Sequence, residues 1–166
     1  MVAFAEACAL KHATDHVVGH VCGGERLGHR DEVRRELFPS SEFTQTEHDQ
    51  LYAELDNRVS ELLAQGKSVV YDANLNRLVH RQEKYQLAES LNVETVLVWV
   101  KTHEDIARER RVTAEPQHDL TPSDETPAAM FDRIAELFEA PQADEPYIEL
   151  DGTLISDDYV QAKLGI

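Results

Sequence analysis

Positive charge is scarce in this chain, and so are cysteine and long apolar runs. The 166 residues include 16 lysines and arginines against 32 aspartates and glutamates, which gives a net charge of −16 at pH 7. Broad, non-specific nucleic-acid binding depends on a basic surface, so this composition argues against it. A few arginines in a cleft could still hold a single phosphate group.

Two cysteines, Cys8 and Cys22, are too few for a disulfide framework. No apolar run approaches the length that a membrane span needs. The start of the chain has no basic segment, and Glu6 and Lys11 interrupt its apolar residues, so we expect no signal peptide. These absences predict a single cytoplasmic domain over residues 1–166, without a membrane segment.

Apolar periodicity predicts strands and helices that alternate along the chain. Short β-branched or apolar runs predict strands at residues 16–22, 68–72, 95–101 and 147–150. Helical spacing of apolar residues predicts helices at residues 2–11, 31–38, 44 or 46 to 65, 78–91, 103–113, 127–138 and 159–164. Residues 114–126 are expected to form a loop. This alternation is typical of βαβ units and predicts a parallel α/β sheet.

Polar residues follow the apolar run that ends at Tyr71. Asp72 falls at the carboxyl end of the predicted strand, which is where ligands bind in open α/β sheets. The candidate substrate-binding residues are this acid and the donors that follow it, namely Asp72, Asn74, Asn76, Arg77 and Arg81. The alternative is that Asp72 only caps the next helix and that the arginines are solvated.

Four segments of the sequence occur in a familiar order, HRDEVRRELF, SVVYDANLNRLVHR, VLVWVKTHEDIARERR and a late DGT. Over about residues 30–153 they resemble the P-loop kinases grouped with phage polynucleotide 5′-kinase and the zeta-toxin-like ATP-binding proteins of the AAA_33 type. The resemblance implies a three-layer α/β fold, a parallel sheet with helices on both faces. It also implies ATP and Mg²⁺ as cofactors, and phosphoryl transfer to a hydroxyl of a small molecule or of a nucleic-acid end.

The resemblance also implies roles for individual residues. Asp31 matches the general base, and Arg34 matches the ligand of the acceptor phosphate. Asp72, Asn74 and Asn76 match the acceptor pocket, and Asp72 would support the Mg²⁺ site indirectly. The candidates for the lid arginines, which face the transferring phosphate, are Arg108, Arg110 and Arg111. Phosphoryl transfer needs positive charge around the equatorial oxygens and a base for the acceptor, which agrees with these residue types.

Each of these assignments has a simpler alternative. Asp31 and Arg34 could be a helix N-cap with an i,i+3 ion pair on a surface helix. The three lid arginines could be a solvated helix face in an acidic protein.

The sequence departs from the resembling family at its start, because it has no glycine-rich phosphate loop. Residues 2–11 look like the helix that follows such a loop, so the first strand and the loop are expected to be missing. The only Gly-Lys-Ser, at residues 66–68, precedes a strand instead of following one and is not expected to bind a nucleotide. Either the intact protein is a kinase and this chain is inactive alone, or the chain is a non-catalytic relative that binds a ligand or a partner.

Cysteines and histidines near the start suggest one further alternative. Cys8, His12 and His16 would share a face of a continuous helix, as zinc ligands do, and His20 and Cys22 follow them. The β-branched stretch from Val17 interrupts such a helix, so ordinary helix and strand residues are the expected outcome.

Overall fold

The computed structural model describes residues 30–72, 75–113 and 125–165, together with the backbone of residues 2–6. Strands and helices alternate in these parts of the chain. The strands are β1 (Val2–Glu6), β2 (Val69–Asp72), β3 (Thr95–Lys101) and β4 (Tyr147–Asp151). The helices are α1 (Arg30–Leu37), α2 (Gln45–Ala64), α3 (Leu78–Ser90), α4 (Glu104–Thr113), α5 (Pro127–Glu136) and α6 (Asp157–Leu164).

The described strands form one parallel sheet in the order β2-β1-β3-β4. β1 lies inside the sheet, and Val2 pairs with Val69 of β2 on one side and with Thr95 of β3 on the other. Because every strand runs in the same direction, all their carboxyl ends lie at one edge of the sheet.

The strand at β1 corrects two expectations. The helix predicted over residues 2–11 is wrong for Val2–Glu6, and so is the prediction that the first strand is missing. The run VAFAE is short and small or apolar, and periodicity alone cannot separate a buried strand from a helical turn at this length. Pairing on both sides satisfies the backbone of this segment, which favours the strand. Residues 7–29 lie outside the described residues, and with them the predicted strand at 16–22 and the candidate zinc ligands Cys8, His12, His16, His20 and Cys22.

The remaining predicted helices and strands are confirmed, with ends that differ by at most two residues. In α2, local features of the sequence determine where the helix begins and ends. The side chain of Thr44 accepts a hydrogen bond from the N–H of Glu47 and caps the first turn. Gly66 follows the last turn with a φ of 76°, a conformation that favours glycine. None of the helices in the described ranges is long and apolar enough to cross a membrane.

Helices cover both faces of the sheet, which confirms the predicted three-layer architecture. Leu97 of β3 packs in a cluster with residues of α1, α2, β2 and the turn after β2. The members of this cluster are Val33, Leu51, Leu55, Val59, Val69, Tyr71, Leu75 and Leu97. Its neighbour Val98 points to the opposite face and packs with Val100, Leu150 and Val160 of α6.

Candidate functional site

α1 packs in the apolar cluster on one face of the sheet. Val33 of α1 is fully buried there with Tyr71 of β2, and Asp31 and Arg34 lie on the same short helix. Side chains alternate along a strand, so Asp72, which follows Tyr71, points to the opposite face. The structure therefore brings the candidate base and the candidate acceptor ligand to one face of the sheet and Asp72 to the other.

Asp31 lies inside the first turn of α1 and pairs with the residue before it. Its Oδ1 accepts hydrogen bonds from Nε and Nη2 of Arg30, at 3.1 and 3.0 Å. Burial acts to lower the pKa of Arg30, but Asp31 and Tyr52 together outweigh it, and the pKa is raised overall. A guanidinium at this distance favours the carboxylate form of an acid, which is the form that accepts a proton. The helix begins at Arg30, so Asp31 is not its N-cap.

Arg34 is a nearly buried cation without a carboxylate in direct contact. Arg34 is 8% exposed to solvent. Its Nη1 donates a long hydrogen bond of 3.5 Å to Oγ of Ser41, and its guanidinium lies 5.1 Å from the centre of the Phe43 ring. Among the described residues no carboxylate oxygen lies within ion-pair distance of it, so the i,i+3 pair with Asp31 does not form. Burial, and then the positive charge of Arg30, lower the pKa of Arg34.

The loop between α1 and α2 is fixed under Arg34 by Glu47. Oε2 of Glu47 accepts a hydrogen bond from Oγ of Ser41 at 2.9 Å, and Oε1 accepts one from the N–H of Glu42 at 3.1 Å. These bonds, the one from Glu42 first, lower the pKa of Glu47. Neither Ser41 nor Glu47 was predicted as a site residue from the sequence. The spacing Thr44-x-x-Glu47 is a capping-box pattern and could have indicated Glu47.

The polar loop after β2 is only partly described, because Asn74 lies outside the described residues. Asp72 is half-buried at the strand end, and Arg77 is exposed at the start of α3. The backbone of Asn76 is tied to the segment before β4, because its carbonyl accepts a hydrogen bond of 2.8 Å from the N–H of Glu139.

Arg81 clamps this loop from inside the protein. Its Nε and Nη2 donate to the two carboxylate oxygens of Glu145 at 2.7 and 2.9 Å. Its Nη1 donates to the carbonyls of Leu75 and Glu139 at 3.0 and 2.9 Å. Arg81 is 1% exposed, so the prediction of a donor facing substrate or solvent is wrong for it. Its observed position is that of a residue that holds the loop.

Lys84, on the same helix as Arg81, is 4% exposed. Its Nζ contacts both carboxylate oxygens of Asp56 at 2.6 and 2.7 Å, and Oδ1 of Asp56 also accepts from the hydroxyl of Tyr71 at 2.9 Å. Burial, and then the Asp56 carboxylate, raise the pKa of Tyr71. The three side chains tie α2 and α3 to the end of β2.

The three candidate lid arginines lie on α4, and each contacts another part of the chain. Arg108 binds Asp132 of α5 through Nε at 2.9 Å, and this bond raises the pKa of Arg108 and lowers that of Asp132. Nη1 of Arg110 donates to the carbonyl of Gly152, just after β4, at 2.9 Å. Nη2 of Arg111 lies 3.3 Å from Sδ of Met130.

The structure therefore does not bring the lid arginines together with Asp31 and Arg34. Arg110 contacts the turn after β4, whereas Val33 of α1 packs with residues of β2, and these two strands are the opposite edges of the described sheet. The carboxyl end of β1 lies between the two groups.

Comparison with known proteins supplies a family and a fold. A family model described as an AAA domain matches residues 16–141. No curated protein matches the chain.

Three solved structures share the fold of P-loop kinases with this chain. A sugar kinase from Janibacter sp. HTCC2649 superposes with a TM-score of 0.67 and 15% identity, covering 99% of this chain and 91% of that chain. A gluconokinase from Sinorhizobium meliloti 1021 gives 0.63 and 15%, covering 99% and 88%. A shikimate kinase from Bacteroides thetaiotaomicron gives 0.61 and 13%, covering 99% and 94%. At these identities the likeness shows the fold alone.

Proposed function

This chain belongs to the AAA domain family, and from that premise we propose that it is an ATP-dependent kinase that phosphorylates a hydroxyl group of a small molecule. The observation that carries the proposal is the placement of two groups of residues. Asp31 and Arg34 lie on α1, whose Val33 packs with residues of β2, and the arginine-rich α4 contacts the turn after β4. The strand between them, β1, ends where a phosphoryl group would pass from one to the other.

Asp31 is the proposed general base. Its Oδ1 accepts a hydrogen bond from Arg30, and its side chain is 13% exposed, so it is partly accessible. In this role it accepts the proton of the acceptor hydroxyl as that oxygen attacks. Arg34 lies one turn further along α1 and orients the acceptor through its guanidinium.

The loop after β2 completes the proposed acceptor site. Asp72, Asn76 and Arg77 supply an acid, an amide and a cation at the strand end, and Asn74 is kept as a candidate from the sequence. The clamp by Arg81 fixes the backbone of this loop, because it holds the carbonyl of Leu75. Arg81 therefore positions the site without touching the acceptor.

The lid role of α4 requires its arginines to change partners. Arg108 is the best placed of the three for such a change, because its side chain is 45% exposed and its ion pair with Asp132 lies in solvent, where such pairs contribute little. Arg110 and Arg111 remain candidates with more enclosed contacts.

ATP and Mg²⁺ are the implied cofactors, and the chain fits them only in part. Asp72 is an acid at the strand end that would support Mg²⁺ indirectly. Among the described residues, however, no group of three or more potential metal ligands occurs. The Gly-Lys-Ser at residues 66–68 lies between α2 and β2, at the amino edge of the sheet, so it does not face the site. No G-x-x-x-x-G-K-(S/T) motif occurs in the sequence, residues 7–29 after β1 lie outside the described residues, and we derive no step through the nucleotide.

The acceptor is best regarded as a small molecule. A net charge of −16 disfavours an extended polyanion, so a nucleic-acid end is the second choice. The cytoplasmic location stays a prediction from the sequence.

A second candidate function is that of a non-catalytic relative, a module that binds a ligand or a partner. The absence of a glycine-rich loop from the sequence favours it, and so does the expectation that this chain alone is inactive. Both candidates use the same acceptor site, so they differ only in nucleotide binding.

Calorimetry with MgATP tests the proposal on this chain beside a version extended upstream in the genomic reading frame. Binding of MgATP by either version supports the kinase. If neither version binds MgATP, the kinase proposal fails and the non-catalytic function stands. Unfolding of both versions by heat serves as the control for folding.

A further inference from the structure

Helix α3 begins without a capping side chain of its own. Its N-cap residue is Arg77, which has an extended backbone with a φ of −114° and a ψ of 141°, and whose side chain makes no capping hydrogen bond. No acid lies in the first turn of the helix either. Serine, threonine, aspartate and asparagine stabilise the N-cap position, whereas a cation is unfavourable at the positive end of a helix dipole. The arginine at position 77 is therefore a poor choice for the stability of α3.

Glu139 supplies the missing cap, although it is 61 residues away from Leu78. Its Oε2 accepts a hydrogen bond from the N–H of Leu78 at 2.5 Å, and its own N–H donates to the carbonyl of Asn76 at 2.8 Å. These two groups belong to the peptide bonds on either side of Arg77. Glu139 thus holds the backbone of Arg77 from both sides, and its carboxylate places a negative charge at the N-terminus of α3.

Glu139 is itself held from inside the protein. Its carbonyl accepts a hydrogen bond from Nη1 of Arg81 at 2.9 Å. Arg81 is 1% exposed and is bonded to both carboxylate oxygens of Glu145. The N–H, the carbonyl and the carboxylate of Glu139 are therefore all bonded to α3 or to the turn before it, so the cap is a fixed part of the structure.

The side chain of Arg77 takes no part in this arrangement. It is exposed, and it makes no hydrogen bond or ion pair with any of the residues that the structure describes. It starts from the loop that follows Asp72, at the carboxyl edge of the sheet. A cation that costs helix stability, is supported by a distant carboxylate and leaves its donors open to solvent is typical of a binding position.

We propose that Glu139 is a positioning residue of the acceptor site, and that it presents Arg77 to the acceptor at a cost to the stability of α3. The inference rests on the proposed function, because it takes the loop after β2 as the acceptor site. Arg77 donates hydrogen bonds to the acceptor, whereas Glu139 contacts only the backbone on either side of Arg77. Asp31 lies on another helix and keeps its role as the base.

Thermal unfolding of this chain tests the stability side of the proposal. Arg77→Ser introduces a side chain that caps helices, so it is expected to raise the unfolding temperature by about 2 °C. Glu139→Ala removes the existing cap and is expected to lower this temperature. Arg77→Lys is the matched control and should leave it unchanged, because lysine keeps the charge and caps no better. An unfolding temperature that is unchanged or lowered in Arg77→Ser overturns the proposal.

Acceptor kinetics test the binding side, with a panel of small-molecule alcohols and the version of the protein that binds MgATP. Arg77→Ser is expected to raise the acceptor KM about tenfold and to keep kcat, because the lost hydrogen bonds serve binding alone. Glu139→Ala should also raise the acceptor KM, whereas Glu139→Gln should keep it, since its amide oxygen still accepts from Leu78. Glu136→Ala, at an exposed acid that ends α5, is the control for a lost carboxylate.

The double variant shows whether Glu139 acts through Arg77. Once Arg77→Ser has removed the guanidinium, Glu139→Ala is expected to raise the acceptor KM no further. Independent, multiplying increases in KM from the two substitutions overturn the positioning role. An unchanged KM in Glu139→Ala overturns it as well.

The two proposals fail separately. If neither version binds MgATP in calorimetry, the kinase falls, and the unfolding temperatures of Arg77→Ser and Glu139→Ala still decide whether Arg77 is held at a cost to stability. If an acceptor is phosphorylated but its KM does not respond to Arg77→Ser, the kinase stands and this inference is overturned.

Discussion

Arg81 and Glu145 form an enclosed ion pair, with side chains that are 1% and 7% exposed. The pair is bidentate, and the remaining nitrogen of the guanidinium is bonded to two backbone carbonyls. Because these hydrogen bonds engage every nitrogen of the guanidinium, the pair can be buried without a large loss of stability. It also makes the loss of one partner expensive, because the other charge is then left without a counter-ion.

Glu145→Gln is expected to lower the free energy of unfolding by about 3 kcal/mol, since it leaves the buried guanidinium unpaired. Chemical denaturation at neutral pH measures this loss. Glu125→Gln is the matched control, because it breaks an exposed pair with Arg133 and should change the free energy little. Equal effects of the two substitutions would contradict the structural role of Arg81.

The same pair predicts a dependence of stability on pH. The hydrogen bonds from Arg81 lower the pKa of Glu145 below its unfolded value of about 4.3. The stabilisation is therefore fully present above that pH and is lost as the pH falls through the folded pKa. Accordingly, the difference between wild type and Glu145→Gln should shrink in acid.

The roles of Arg81 and Lys84 could not be predicted from the sequence. Their partners, Glu145 and Asp56, are 64 and 28 residues away, and nothing local marks either pair. On the helix itself both positions look like polar surface residues. Asp31 and Arg34 were easier to find because they belong to one short segment, HRDEVRRELF, whose residues are adjacent in space as well as in the chain.

At the scale of elements, the turn between α2 and β2 requires a glycine because of its backbone conformation and not because of packing. Gly66 has a φ of 76°, and a Cβ built on it would meet nothing within 4 Å. The glycine is therefore needed for its conformation alone. This turn directs the chain into the strand that ends at Asp72.

Gly66→Ala is expected to cost about 1 kcal/mol of unfolding free energy, because alanine disfavours a positive φ. Gln65→Ala, at the neighbouring position with a φ of −83°, should change stability by much less. Thermal unfolding of the two variants measures the difference. A neutral Gly66→Ala would show that the turn relaxes to another conformation.

Strands β3 and β1 show what apolar periodicity can and cannot predict in this chain. Thr95–Lys101 was predicted to the residue, because seven nearly apolar, β-branched positions leave little choice. Val2–Glu6 was mistaken for a helix because its five residues are compatible with both structures. Only the pairing with β2 and β3, which are distant in sequence, selects the strand.

At the scale of the whole molecule, the described parallel sheet keeps the two groups of candidate residues apart. Asp31 and Arg34 lie on α1, which packs with residues of β2, and the arginines of α4 contact α5 and the turn after β4. The sheet order places β1 between these two edges. The parallel sheet with helices on both faces was predictable from the sequence and the resemblance, whereas the partners of the α4 arginines were not, because they come from segments whose packing the sequence does not show.

Turnover by the Asp31→Asn variant tests the central claim most directly. It is measured as acceptor-dependent ATP consumption with a panel of small-molecule alcohols, in the version of the protein that binds MgATP. The claim predicts a loss of about 10²- to 10⁴-fold, with MgATP binding and thermal stability retained. Glu32→Gln is the matched control, an exposed acid on the same helix, and it should keep full turnover. Unchanged turnover in Asp31→Asn would contradict the account.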